Sequence, residues 1–201
     1  MEESNFDKYI NKLSPETLSL VCAESDEEFD KAFDICLIRA ISDLEKNCKE
    51  YKSLSENGLS SVLASTLTTG ELSVTREEHS NGHVDLTVKL VNSREKRTKL
   101  GEAKIWRGKE YHVNGIGQLL TRYITGRECR GFVISYVKQK NIKKLFEDLR
   151  EYIDKNKPFD LVGFCKDHNI KWSFISEHEH SSGEQIEICS LGCNLFCEDE
   201  N

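Results

Sequence analysis

The sequence predicts an α/β domain built on a mixed β-sheet flanked by helices. Three observations carry this expectation. Residues 26–51 repeat apolar side chains at helical spacing, residues 84–90 and 102–106 alternate apolar and polar side chains at strand spacing, and further apolar strand and helix segments interchange over 129–165. At 201 residues the chain suits one domain with a sizeable core. We read residues 1–52 as an N-terminal helical extension, residues 53–201 as the main unit, and its C-terminal end as a β-hairpin.

In chain order, residues 5–20 are expected to hold a short helix, with Ser14-Pro15-Glu16 as a local start signal. Over 26–51, Phe29, Ala32, Phe33, Cys36, Leu37, Ala40, Ile41 and Leu44 form one apolar stripe. A helix at 58–68 turns Val62, Leu63 and Leu67 inward and stops at Gly70. Residues 72–77 make a first strand. Val84, Leu86, Val88 and Leu90 then alternate with Asp85, Thr87 and Lys89, so the apolar set faces a core and Asp85 faces away. Ala103 and Ile105 alternate with Glu102, Lys104 and Trp106, and the polar stretch 92–97 supplies a hairpin turn about Arg94 and Glu95. Asn114 reads as the N-cap of a helix ending at Gly126, with Leu119, Leu120, Tyr123 and Ile124 inward. A strand at 129–137, a helix at 141–156 and a strand at 159–165 follow. Residues 172–176 and 185–189 close the chain as a hairpin about Ser181-Ser182-Gly183.

Folding the central hairpin sets Asp85 opposite Glu102 and Lys104, where cross-strand Cβ atoms lie roughly 5 Å apart. Two carboxylates and an ammonium on one face suit Mg²⁺, which takes hard oxygen ligands and commonly one or two carboxylates. A metal so held polarises a phosphodiester and lowers the pKa of bound water, and a neighbouring lysine orients that water or offsets charge on the phosphate. The bland alternative is a solvated strand face carrying a surface ion pair.

Residues 56–136 resemble the core of the PD-(D/E)XK, or restriction-endonuclease-like, nuclease superfamily. The likeness rests on Glu56-Asn57-Gly58-Leu59 opening a helix, a strand, Gly82-His83-Val84-Asp85, Gly101-Glu102-Ala103-Lys104, a helix bearing Gln118 and a further strand. Asp85 follows valine rather than the proline of the superfamily's name. The resemblance implies a restriction-endonuclease-like core and metal-dependent phosphodiester hydrolysis. It implies Asp85, Glu102 and the Ala103 carbonyl as ligands of Mg²⁺, or of Mn²⁺ in its place, with Lys104 as the catalytic lysine. Glu56 matches an acidic residue that many members carry on the first core helix; its position also allows a plain helix-start role. Gln118 stands where RecB-like members carry a glutamine with a tyrosine four residues on, whereas Tyr123 comes five residues on. Gln118 is accordingly expected to orient water or phosphate, and Arg122 to contact a nucleic-acid backbone.

The net charge of −7 opposes a nucleic-acid partner, but residues 94–144 alone carry 14 basic and 4 acidic side chains between acidic flanks. Arg107 and Lys109 lie in this basic block and are read as nucleic-acid contacts. The acidic flanks suggest weak DNA binding by the chain alone, or a partner subunit that supplies affinity. Homo-oligomerisation is a further expectation, because the long helix at 26–51 has no obvious partner surface. No apolar run reaches the length of a membrane span, the start Met1-Glu2-Glu3-Ser4 is unlike a signal peptide, and the scattered cysteines suit reduced thiols in a cytoplasm. Cys189, Cys193 and Cys197 with His178 and His180 match zinc spacing weakly, and strand alternation explains them better. His79 and His83 flank the Asn81-Gly82 turn, with His83 near the rim of the site.

The expectation from sequence is therefore a Mg²⁺-dependent nuclease, with DNA favoured over RNA, in a bacterial or phage-related defence, restriction or repair setting. A non-catalytic nucleic-acid-binding or scaffold subunit is the alternative. Endonucleolytic and exonucleolytic action are both open.

Overall fold

The computed structural model describes residues 13–76, 78–79, 83–91 and 97–198. The turn at Asn81-Gly82, the hairpin tip about Arg94 and Glu95, Glu77 and the first part of the helix expected at 5–20 lie outside the described residues.

Ser14 caps helix α1 (Pro15–Val21), its hydroxyl accepting the Thr17 N–H at 3.2 Å. Ser25 caps α2 (Asp26–Lys46) in the same way through the Glu28 N–H, and three acidic residues fill the first turn, where the helix dipole favours them. The expected helix to residue 51 breaks at Asn47, leaving the short α3 (Cys48–Tyr51). Helix α4 (Glu56–Leu67), capped by Ser55, leads into β1 (Leu72–Thr75).

The expected strand through Asp85 is two strands, β3 (His83–Val84) and β4 (Leu86–Leu90), separated by a bend at Asp85; β3 pairs with β2 (Glu78–His79) and not with the main sheet. Strand β5 (Thr98–Ile105) then runs into helix α5 (Lys109–Gln118), not into one starting at Asn114. Gly108, at φ 117°, makes the tight entry to α5, in a region that favours glycine. The helix continues as a π-helical turn (Leu119–Tyr123) that ends where the Ile124 N–H reaches the Leu119 carbonyl at 2.9 Å. Strand β6 (Arg130–Val137) and helix α6 (Ile142–Asn156) match their expected spans.

The strand expected at 159–165 does not form. Phe159, Asp160 and Gly163 have positive φ, which breaks an extended chain. Only a bridge from Leu161 to His178 remains of it, and the two-residue β7 (Lys166–Asp167) comes just after that span. The final hairpin is longer than expected, β8 (Ser173–Glu179) and β9 (Gln185–Asn194).

Seven strands form one mixed sheet in the order β1-β4-β5-β6-β9-β8-β7. Its first half runs antiparallel from β1 through β4 to β5, then parallel from β5 to β6 and from β6 to β9. The C-terminal hairpin is thus no appendage, because β9 lies beside β6 over the whole length of that strand. Counting the strands of the main sheet, the order from α4 to β6 is helix, three strands (β1, β4, β5), helix, strand, as expected from the sequence, with the small β2-β3 pair inserted.

Both faces of the sheet are covered. One core joins α2 and α4 to Leu86, Val88, Ala103, Phe132, Ile134 and Tyr136, and the other joins α5 and α6 to Leu100, Trp106, Val133, Val137 and Ile188. Residues ahead of position 52 therefore contribute to the same core as the sheet. The full burial of β6 on both faces follows from this sandwich. His112 pins α5 to the sheet, one ring nitrogen 2.8 Å from Ser135 Oγ and the other 3.0 Å from Ser190 Oγ. Burial drives its pKa down to about 3, so it serves as a neutral bridge between two strands.

The acidic face of α2 has its partner surface within the chain. Asp26, Asp30 and Asp34 follow at one-turn spacing and meet Arg97, Lys99, Arg130 and His168. Lys99 and Asp30 form a tight pair, with side chains 5% and 12% exposed, and Arg130 reaches both Asp34 oxygens, at 2.9 and 3.2 Å. Three of the 14 basic side chains in the block read from the sequence, Arg97, Lys99 and Arg130, are spent inside this ladder.

Removing one member of the ladder strands a buried charge. Lys99→Met should cost about 3–5 kcal/mol in denaturant unfolding, and Lys99→Met with Asp30→Leu should recover most of it. The ladder also titrates. Burial opposes the His168 imidazolium, but hydrogen bonds to Asp34 and Cys189 and the charge of Asp34 outweigh it and push the pKa up to about 9. The folded state therefore holds the proton longer than the unfolded chain. Its stabilising contribution is complete below the ordinary value of 6.5 and is lost as pH rises through about 9. Thermal melts of His168→Gln should lack that alkaline decline.

Candidate active site

The site lies where β4 leaves the edge of β5. The register Leu86 to Gly101 is the last pairing of these strands. Beyond it the chain bends at Asp85, and Val84 enters the α5 and α6 core while Leu86 and Val88 face the α2 and α4 core. The single apolar face expected for Val84 through Leu90 is broken at that point, because the bend rotates the backbone.

The departure of β4 leaves two N–H groups of β5 without a ladder partner, and two carboxylates take its place. Asp85 Oδ2 accepts the Ala103 N–H at 3.0 Å, and Glu56 Oε2, from the start of α4, accepts the Ile105 N–H at 2.6 Å. The N–H and C=O of one strand residue point to the same neighbour, so the Ala103 carbonyl also faces the Asp85 side. Glu102 and Lys104 project from the opposite face of β5 to Ala103, as the alternation predicts.

Lys104 Nζ lies 2.7 Å from Glu102 Oε2 and 3.8 Å from Asp85 Oδ2. The Glu102 side chain is 1% exposed and the Asp85 side chain 30%, so the group opens to solvent on the Asp85 side. Glu102 Oε1 is buried with no hydrogen-bond partner among the described residues. Burial, then the charge of Asp85, push the Glu102 carboxyl up to about 7 against the pull of Lys104. Burial alone would lower Lys104, but the bond to Glu102 and the charges of Glu102, Asp85 and Glu56 overcome it and raise its pKa. Lys104 therefore stays an ammonium at neutral pH and is suited to orienting and neutralising, not to acting as a base.

The donor set fits a hard divalent cation. An orphaned buried carboxylate oxygen, a partly exposed second carboxylate and a backbone carbonyl on the Asp85 side of β5 match the oxygen ligation of Mg²⁺. Among the described residues no three Asp, Glu, His or Cys side chains are gathered closely enough to hold a metal. Glu56 thus does not join Asp85 and Glu102 in one cluster; its observed work is to hold the end of β5. The same finding removes the zinc reading. His178 is buried against the Phe159 carbonyl and Ser176, His180 bonds Ser182, and Cys189 and Cys193 lie in the core.

Helix α5 crosses over Lys104 at Gly115, where an added Cβ would lie 3.1 Å from Val133 Cγ1 and 3.7 Å from Lys104 Cε. Gln118, one turn on, is half-buried, and its Oε1 is buried without a partner among the described residues. The π turn directly after it changes the reading of Tyr123. An i to i+5 turn carries one extra residue, so a side chain five positions on returns to the place that an α-helix gives to the fourth. Tyr123 is buried, and burial, then the charge of Glu102 with a lesser part from Asp85, raises its phenol pKa against a hydrogen bond from Arg122. The π turn so returns Tyr123 to the side of the helix that carries Gln118, within electrostatic reach of Glu102.

Arg107, Lys109 and Arg122 are exposed. Sequence reasoning missed Tyr111, whose ring centroid lies 6.0 Å from Lys104 Nζ and 5.2 Å from Arg107 Cζ. The signal was present, since Tyr111, Gly115 and Gln118 share one helical face, but a helix start at Asn114 left Tyr111 outside the helix.

No protein-family model, no curated protein and no solved structure matches the chain. Among the described residues no helix is long and apolar enough to cross a membrane.

The Glu102 carboxyl gives a test of this geometry without any ligand. Its folded pKa lies above the ordinary value of 4.5, so the folded protein takes up a proton that the unfolded chain releases. Stability from this group is complete below 4.5 and is lost as pH rises through about 7. Melting temperatures in EDTA should fall over that window in the wild type and stay flatter in Glu102→Gln. An identical slope would remove Glu102 from its buried setting.

Proposed function

We propose that the protein is a Mg²⁺-dependent nuclease, acting on DNA in preference to RNA, with a core of restriction-endonuclease type. The observation that carries the reading is the meeting of Asp85, Glu102 and Lys104 where β4 turns away, with one Glu102 oxygen buried and unsatisfied. The strand order and the helix bearing Gln118 support the same reading, and so do the expectations drawn from the sequence resemblance.

In this account Asp85, Glu102 and the Ala103 carbonyl hold the cation, which when bound polarises the scissile phosphate and lowers the pKa of its water. Lys104 remains charged, orients the attacking water through one of its N–H groups and offsets negative charge as the phosphorane forms. Gln118 and Tyr123 line the helix side of the group and supply hydrogen bonds to water or phosphate. Arg107, Lys109 and Arg122 anchor flanking phosphates. Glu56 acts through β5, keeping the Ala103–Ile105 edge in place.

A cation held at Asp85 and Glu102 should be lost with either carboxylate. Asp85→Ala should abolish Mg²⁺-dependent cleavage of plasmid, linear duplex and single-stranded substrates while the protein still folds, at a cost of about 1 kcal/mol for the Ala103 N–H that loses its acceptor. Lys104→Ala should lower turnover at saturation by at least ~10² while nucleic-acid affinity falls by about one phosphate contact. Arg107→Ala is the matched comparison and should weaken binding while sparing turnover at saturation. Cleavage by Asp85→Ala at the wild-type rate would refute the assignment and favour a binding or scaffold subunit.

A further inference from the structure

Beside the carboxylates, cations and aromatic rings follow one another along the start of α5. Lys104 and Arg107 both stand against the Tyr111 ring, at 6.0 and 5.2 Å from its centroid, and Lys109 stands 5.6 Å from the centre of the Tyr152 ring on α6. Tyr111 belongs to neither core and is half-buried, while Arg107 and Lys109 are exposed. The turn at Gly108 brings this row together, because it lets Arg107 fold back beside a tyrosine on the first turn of the helix.

We infer that this row is a track for single-stranded nucleic acid, with Tyr111 as the stacking platform for a base beside the scissile phosphate. The inference rests on the nuclease reading for the position of that phosphate, and its evidence is separate. Single strands are held by cations that follow the backbone and by aromatic faces on which bases stack. A duplex keeps its base faces stacked inside and offers such rings nothing, so phosphate contacts alone would remain. Access points the same way. The side chains of Lys104 and Glu102 are 11% and 1% exposed, and a flexible strand reaches such shielded groups more readily than a stiff helix. Tyr111 is thus a specificity residue, choosing unpaired over paired substrate.

The test reads binding with no cleavage, using Asp85→Asn protein in EDTA, a labelled oligo-dT and a blunt duplex of equal length. Adding Tyr111→Ala should weaken oligo-dT binding at least about fivefold, the lower end for one stacked base, and leave duplex binding within about twofold. Tyr111→Phe keeps the ring and should bind oligo-dT as the parent does. The indole introduced by Tyr111→Trp should be quenched by oligo-dT and not by duplex, beyond the response of the parent's own tryptophans. Unchanged oligo-dT affinity in Tyr111→Ala, or an equal loss on duplex, would overturn the proposal. Because the protein is catalytically silenced and metal-free, such a result leaves the nuclease reading standing. A failure of cleavage in the wild type would equally leave this binding result standing.

Discussion

The arrangement of the site depends on one event in the sheet, the departure of β4 from β5 at Asp85. A strand edge left open inside a fold exposes N–H groups that need acceptors. Here carboxylates from two different elements supply them, Asp85 at Ala103 and Glu56 at Ile105. The same substitution gathers negative charge beside the face of β5 that carries Glu102 and Lys104. Closing the edge with more strand would satisfy the backbone equally well but would take Asp85 into a ladder and away from solvent. Satisfying the backbone and presenting a pair of carboxylates are therefore one structural solution.

Two groups of buried charge sit on the two faces of β5, and they differ in kind. In the ladder between α2 and the sheet the aspartates at 26, 30 and 34 each face a cation, although burial raises the Asp30 carboxyl as well. Asp85, Glu102 and Lys104 are not matched, since two carboxylates share one ammonium and an oxygen is left over. Burial first, and the charge of Asp85 second, raise the Glu102 carboxyl, which is the cost of that mismatch. Matched charge docks a helix. Two carboxylates on one ammonium, open to solvent at Asp85, are what a cation-dependent site requires, and the proposed function rests on that excess of negative charge.

Much of this was legible in the sequence because strand alternation is a strong signal. Asp85, Glu102 and Lys104 were placed together by period-two spacing and a plausible hairpin, and the β5 and β6 segments were readable from their apolar runs. What failed were features set by backbone geometry that composition does not encode. The bend at Asp85 moved Val84 to the other core, and positive φ at Phe159 and Asp160 erased an expected strand. The π turn is invisible to a 3.6-residue template, so Tyr123 looked one position out of step when the backbone had absorbed the extra residue. Asn114 carried a good capping side chain but lies within α5, whose true start at Gly108 has no side-chain cap. Charge counting also misled, since Lys99 and Arg130 in the basic block are consumed by aspartates of α2 some 70 to 100 positions away in sequence.

The central claim is that Asp85 and Glu102 form a cation site beside a permanently charged Lys104. Crystals soaked in Mn²⁺ and measured by anomalous scattering test it most directly. The account predicts an anomalous peak ligated by Asp85, by the Glu102 oxygen that now lacks a partner and by the Ala103 carbonyl, with Lys104 displaced from Glu102 toward water. Clean density at that position, with the Glu102–Lys104 contact intact at saturating Mn²⁺, would contradict it.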